Sequence, residues 1–102
     1  MSGPTQPAKF NEEWSDERVK SWLDVQPYFD TPVDYTLLRR AYEAMPEGPF
    51  ERFLTYFVEA GFDINARNDE GQTFLDRVAR HAQAGAFAEM LRAAGARTST
   101  EL

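Results

Sequence analysis

Phe53-Leu54-Thr55-Tyr56-Phe57-Val58-Glu59-Ala60-Gly61 returns 34 residues later as Phe87-Ala88-Glu89-Met90-Leu91-Arg92-Ala93-Ala94-Gly95. A second pair, Thr36-Leu37-Leu38-Arg39-Arg40-Ala41 and Thr73-Phe74-Leu75-Asp76-Arg77-Val78, precedes the glycine-terminated segments in the same order. Two matching elements in register predict a stack of helical repeats, in which each unit covers the apolar face of its neighbour. Such a stack offers surfaces for recognition, so the expected class of function is binding.

Outward from this core, the chain divides into helices by spacing and breakers. The stripe Phe50, Phe53, Leu54, Phe57, Val58 predicts a helix with Gly61 just past its end, where a left-handed cap residue sits. Before it, Leu37, Leu38, Ala41, Tyr42 and Met45 form a stripe opposite Arg39, Arg40 and Glu43, and Pro46-Glu47-Gly48-Pro49 is expected to break it and bulge as a loop. Thr73 with Asp76 three residues on has the spacing of a capping box, and Leu75, Val78, Ala79 and Ala82 are expected to face inward. A last helix carries Phe87, Met90, Leu91 and Ala94. Near the N-terminus, Ser15 reads as an N-cap, Trp14 as a hydrophobic staple toward Val19, and the helix should run to about Val25 before Pro27. The expectation is an all-α fold of about five helices: a disordered tail at 1–9, one domain over 10–98, and a flexible end at 99–102.

The stretch Ala60-Gly61-Phe62-Asp63-Ile64-Asn65-Ala66-Arg67-Asn68-Asp69-Glu70-Gly71-Gln72-Thr73-Phe74-Leu75 resembles the junction of two ankyrin repeats. The resemblance covers about residues 35–97 as two repeats, and residues 17–30 read as a worn copy of a second helix. Gly61 and Gly71 suit positive φ, Asn65 can bond neighbouring backbone in a turn, and Thr73 can cap the next helix. Phe74 stands where the family places proline and Asp76 where it places histidine. From Thr36 to Gly61 the first repeat needs 25 residues, against 22 from Thr73 to Gly95.

Composition narrows the function further. The 102 residues, 42% hydrophobic, suffice for one small domain, and the longest apolar run is too short for a membrane span. A soluble, cytoplasmic protein is expected. No cysteine is present, which removes disulfides, a thiolate nucleophile and Cys-based zinc sites. The net charge of −6 argues against nucleic-acid binding, which begins with Lys and Arg neutralising phosphates. Residues 1–35 carry seven acids against three bases, so a basic partner would be steered to that end.

No enzyme is expected. Asp63, Asn65, Asp69, Glu70 and Gly71 superficially suggest a calcium loop, but Arg67, Asn68 and Phe74 occupy its fifth, sixth and twelfth positions. His81, the one histidine, reads as a solvent-facing helix residue, and no phosphate loop or nucleophile motif occurs. No cofactor or metal is expected. Of the fourteen aromatics, nine lie between Tyr28 and Phe62 and read mainly as core, with Tyr28, Tyr35, Tyr42 and Tyr56 as candidate contact anchors.

The ankyrin resemblance implies contacts at the turn tips and inner helix face. In the second repeat these are Asp69, Glu70, Gln72, Arg80 and His81; in the first they are Pro32, Val33, Tyr35, Glu43 and Ala44. It implies a module that binds and regulates or neutralises another protein, as an inhibitor or immunity-type factor does. The alternative is a structural or adaptor subunit that self-assembles, with the alanine-rich C-terminal helix facing a partner or a second copy as a homodimer.

Overall fold

Five α-helices and one 3₁₀ turn organise residues 14–102, the part of the chain that the computed structural model describes. They are α1 (Asp16–Ser21), α2 (Val33–Ala44), α3 (Glu47–Glu59), α4 (Phe74–Ala79) and α5 (Gly85–Ala93), followed by the 3₁₀ turn Ser99–Glu101. The fold is all-α, and among the described residues the only β pairing is an isolated antiparallel bridge between Arg67 and Thr73. The tail expected to be disordered at 1–9 lies outside the described residues.

Consecutive helices form two hairpins, α2–α3 and α4–α5. The hairpins meet through like partners: α2 packs on α4, and α3 lies between α1 and α5. Leu37, Leu38, Phe50, Phe53, Phe57, Phe74, Leu75 and Leu91 are buried in the one core between these layers. Each such side chain contributes about 1.5–3 kcal/mol on removal from water.

Both glycine-terminated segments close alike. Gly61 N–H donates to Val58 O and Phe62 N–H to Phe57 O, while Gly95 N–H donates to Arg92 O and Ala96 N–H to Leu91 O. This is the Schellman arrangement, and it requires the positive φ of 91° at Gly61 and 106° at Gly95. The loops that follow are then tied back to the inner helices. Asp63 N–H donates to Asp34 at 2.6 Å after α3, and Ser99 N–H donates to Asp76 at 3.0 Å after α5.

Several local expectations are corrected. Pro46-Glu47-Gly48-Pro49 is not a bulging loop: Pro46 is the N-cap of α3, and the helix already includes Gly48 and Pro49. The first intrahelical donor is Phe50 N–H, to Pro46 O, so the N–H that Pro49 lacks would have had no partner in the helix. The extra residues between Thr36 and Gly61 lie in longer helices, α2 and α3 having 12 and 13 residues against 6 and 9 in α4 and α5.

α1 stops at Ser21, well short of Val25. Ser21 Oγ donates to Arg18 O at 2.6 Å, and the next N–H groups, from Trp22, Leu23 and Asp24, reach only three residues back. Trp14 packs against the core, with its ring 6.0 Å from that of Trp22.

α4 ends at Ala79, which leaves Ala79 and Ala82 exposed, and Val58 is 43% exposed, one helical step beyond the buried Phe57. Asn65 makes no local side-chain turn. Its Nδ2 donates to Gly95 O at 3.2 Å and its Oδ1 accepts from Arg97 N–H at 2.7 Å, while Asp63 supplies the local bond to Asn65 N–H. Residues 99–101 form the 3₁₀ turn, where Glu101 accepts from Thr98 N–H at 2.8 Å and pairs with Arg92 at 3.2 Å.

Candidate functional site

The turn between the hairpins is built by one side chain that the sequence reading did not single out. Asn68 Oδ1 accepts from Glu70 N–H at 2.9 Å and from Gln72 N–H at 3.0 Å, and Asn68 N–H donates to Gln72 O at 2.9 Å. An asparagine suits this place because its short amide can mimic a backbone turn. Its Nδ2 donates to Gln72 Oε1 and to the Tyr35 hydroxyl, both at 3.3 Å, which fixes the turn over the start of α2. Asp69 and Glu70 are thereby held out in solvent at the tip, and Gln72 is half-buried.

Below the tip a groove of about 430 Å³ opens between the N-terminal parts of α2 and α4, with Pro32, Tyr35, Arg39, Asn68, Asp69 and Arg77 among its walls. Tyr35 is only 7% exposed: its ring meets Phe74 edge-on at 5.5 Å, and its hydroxyl faces Asn68. It therefore serves the groove as floor. Glu43 lies 3.6 Å from Arg39 and 3.8 Å from Arg77, so one exposed carboxylate links α2 to α4 and holds two guanidinium groups in place. Exposed pairs of this kind contribute little stability, about 0–1 kcal/mol each, and their value here is positional.

Farther along the same pair of helices, His81 sits in the connection after α4, not on the helix as expected. Its ring stacks on Tyr42 at 5.8 Å, and the Tyr42 hydroxyl is 2.8 Å from Nδ1. Tyr42 in turn meets Phe50, Phe74 and Phe87, so the histidine closes an aromatic cluster. Arg80 beside it is exposed.

The predicted residues thus fall on one strip. Asp69, Glu70, Gln72 and Tyr35 lie at its turn end, Glu43 bridges its middle, and Arg80 and His81 stand at the far end. Arg39, Arg77 and Asn68 complete it. Of the four tyrosines, Tyr28 is 75% exposed, whereas Tyr42 and Tyr56 are half-buried.

The groups with displaced pKa values lie elsewhere. Hydrogen bonds from Arg52 and Tyr56 hold Asp16 below the ordinary carboxylate range, and burial followed by the bond to Asp16 pushes Tyr56 up. For Asp76, burial acts upward but is outweighed by bonds from Ser99 and Thr73, so the carboxyl is held low. Glu101 is held low by the Thr98 N–H and by Arg92. All of these serve caps and inter-helix ties.

The groove itself presents paired cations, a carboxylate at its mouth, a phenol and an amide. These can bond the complementary groups of a polypeptide. Among the described residues, no group of three or more His, Cys, Asp or Glu side chains is placed to hold a metal ion, and no helix is long and apolar enough to cross a membrane. Comparison with protein-family models, with curated proteins and with solved structures gives no match.

Proposed function

We propose that this chain is a small protein-binding module, an ankyrin-like stack that binds and regulates or neutralises another protein through the α2/α4 strip and the 67–72 turn. The layering supports the stack: α2 packs on α4, and α3 packs against both α1 and α5. The equivalent closures at Gly61 and Gly95 support it too.

The observation that carries the binding reading is the groove beneath a turn whose backbone is already held by Asn68. Asn68 holds the backbone of the tip and Glu43 pairs with both arginines, which lowers the conformational freedom to be lost on association. The acidic tip favours a basic partner surface, and the binding would weaken as salt rises.

The test is affinity capture from the source cells with wild-type chain, with the double variant Asp69→Lys/Glu70→Lys and with Arg77→Glu. Each variant is first checked for unchanged helicity. A partner retained by the wild type and reduced at least tenfold by the tip variant supports the reading. A partner retained equally by all three overturns it. Recovery of the chain alone, with a mass near twice 11.7 kDa by light scattering, would favour self-assembly.

A further inference from the structure

Four arginines among the described residues are half-buried: Arg39, Arg40, Arg52 and Arg77. Arg39 and Arg77 meet Glu43, and Arg52 meets Asp16 at 2.7 Å. Among the described residues, Arg40 meets no carboxylate. Its guanidinium lies over two rings, 4.5 Å from the centre of Phe29 and 5.2 Å from that of Trp22. Ring contacts engage the face of a guanidinium and leave its in-plane N–H donors available. The cation is thus half-buried against two rings, and among the described residues no hydrogen bond or ion pair engages its N–H donors.

Arg40 lines a pocket of about 320 Å³ together with Ser21, Trp22, Asp24, Gln26 and Tyr28. None of these residues lines the α2/α4 groove. The rim is open, with Tyr28 75% exposed, and the segment is anchored by Phe29, which is buried and meets Tyr28 edge-on at 5.1 Å. An aromatic rim beside an arginine is the composition of an interface hot spot.

We propose that this pocket is a second recognition site, which takes one aspartate or glutamate side chain of a partner polypeptide. Arg40 is the anchor, and Trp22 and Tyr28 supply the contact walls. The planar fork of arginine matches a carboxylate through two parallel bonds. Asp24 on the wall, and a net charge of −6 over the chain, oppose a multiply charged anion such as phosphate. Ser21 and Gln26 offer donors and acceptors to the backbone around the bound carboxylate. The site stands independently of the groove, and its occupant has the opposite charge to the partner surface expected at the acidic tip.

The test follows the Arg40 Nε–H and Trp22 indole N–H signals by NMR on the full-length labelled chain during addition of the blocked peptide acetyl-Ala-Glu-Ala-amide. Saturable shifts of both signals are expected, at roughly tenfold lower concentration than with acetyl-Ala-Gln-Ala-amide, the factor a charge-assisted hydrogen bond contributes. Arg40→Gln should abolish the difference between the two peptides, and Arg40→Lys should retain only part of it. Because the peptide comparison is made on the wild type, it stands whether or not a variant folds. Equal response to the two peptides, an unchanged preference in Arg40→Gln, or larger shifts at Arg77 than at Arg40 would each overturn the proposal. So would inorganic phosphate acting at lower concentration than the glutamate peptide, which would make this a general anion site.

Discussion

The two hairpins reach similar packing by different means. α2 has 12 residues, buries Tyr35, Thr36, Leu37, Leu38 and Ala41, and begins at Pro32 with no side-chain cap. α4 has 6 residues, buries Phe74, Leu75 and Val78, and begins with a complete capping box between Thr73 and Asp76. Helices shorter than about 12–15 residues are marginal on their own. α4 compensates at its start, where Thr73 Oγ1 also donates to Arg97 O at 2.8 Å and Asp76 also accepts from Ser99 N–H. The longer helix is held chiefly by apolar burial, the shorter one by burial together with a polar knot at its N-terminus.

The largest effect should come from the apolar side of α4, whose few core residues are each heavily used. Phe74 is fully buried and lies 5.5 Å from both Tyr35 and Tyr42. Phe74→Ala should cost about 3–5 kcal/mol and Leu75→Ala about 2–5 kcal/mol. Urea denaturation measures both. Losses within about 1 kcal/mol would mean that α4 depends on its polar start alone, and the contrast with α2 would have to be redrawn.

Next in size is the paired threonine comparison. Thr73 and Thr36 are both buried, and each hydroxyl donates to a distant carbonyl, Thr36 to Asp30 O at 2.7 Å and Thr73 to Arg97 O. Thr73 alone also accepts from a helix N–H, that of Asp76 at 3.2 Å. Thr73→Ala should therefore cost about 1–3 kcal/mol and Thr36→Ala about 1 kcal/mol. Equal costs, by the same denaturation measurement, would show that the cap adds nothing beyond the shared bond.

The contrast between the hairpins was partly legible in the sequence. Thr73 and Asp76 are three residues apart, and a capping box is decided within that span. Gly61, likewise, marks a local backbone need. The helix boundaries around prolines were less legible, because Pro46 and Pro49 break a helix or start one according to their place in its first turn. Ala79 and Ala82 continue the apolar period on paper, yet α4 ends before the second of them.

In the candidate site, the exposed tip at Asp69 and Glu70 follows from local turn chemistry. The arginine pair does not: Arg39 and Arg77 are joined through Glu43, a link between two helices. Asn65 shows the same limit, since its partners Gly95 and Arg97 lie 30 and 32 positions away. Spacing rules see one element at a time, and these bonds join two.

The smallest effect, and the sharpest probe of the polar knot, is its response to acid. Asp76 is held below its ordinary value because the folded state gives its carboxylate the N–H groups of Thr73 and Ser99. A carboxyl lowered in the folded state contributes stability that is present above its unfolded value, about 3.9, and lost as pH falls through the folded value. Asp76→Asn keeps the shape and an acceptor oxygen but removes the charge. At pH 7 the variant should be the less stable, since bonds to an ionised acceptor are the stronger ones. As pH falls below about 4 the wild type should approach the variant, because its own carboxyl becomes neutral. Thermal unfolding between pH 7 and pH 2.5 follows the gap. Asp16 and Glu101 are also held low and are present in both proteins, so their acid response cancels in the difference. A gap that stays constant across this range would show that Asp76 ties α4 to the loop after α5 through shape alone, and the charged half of the knot would have to be discarded.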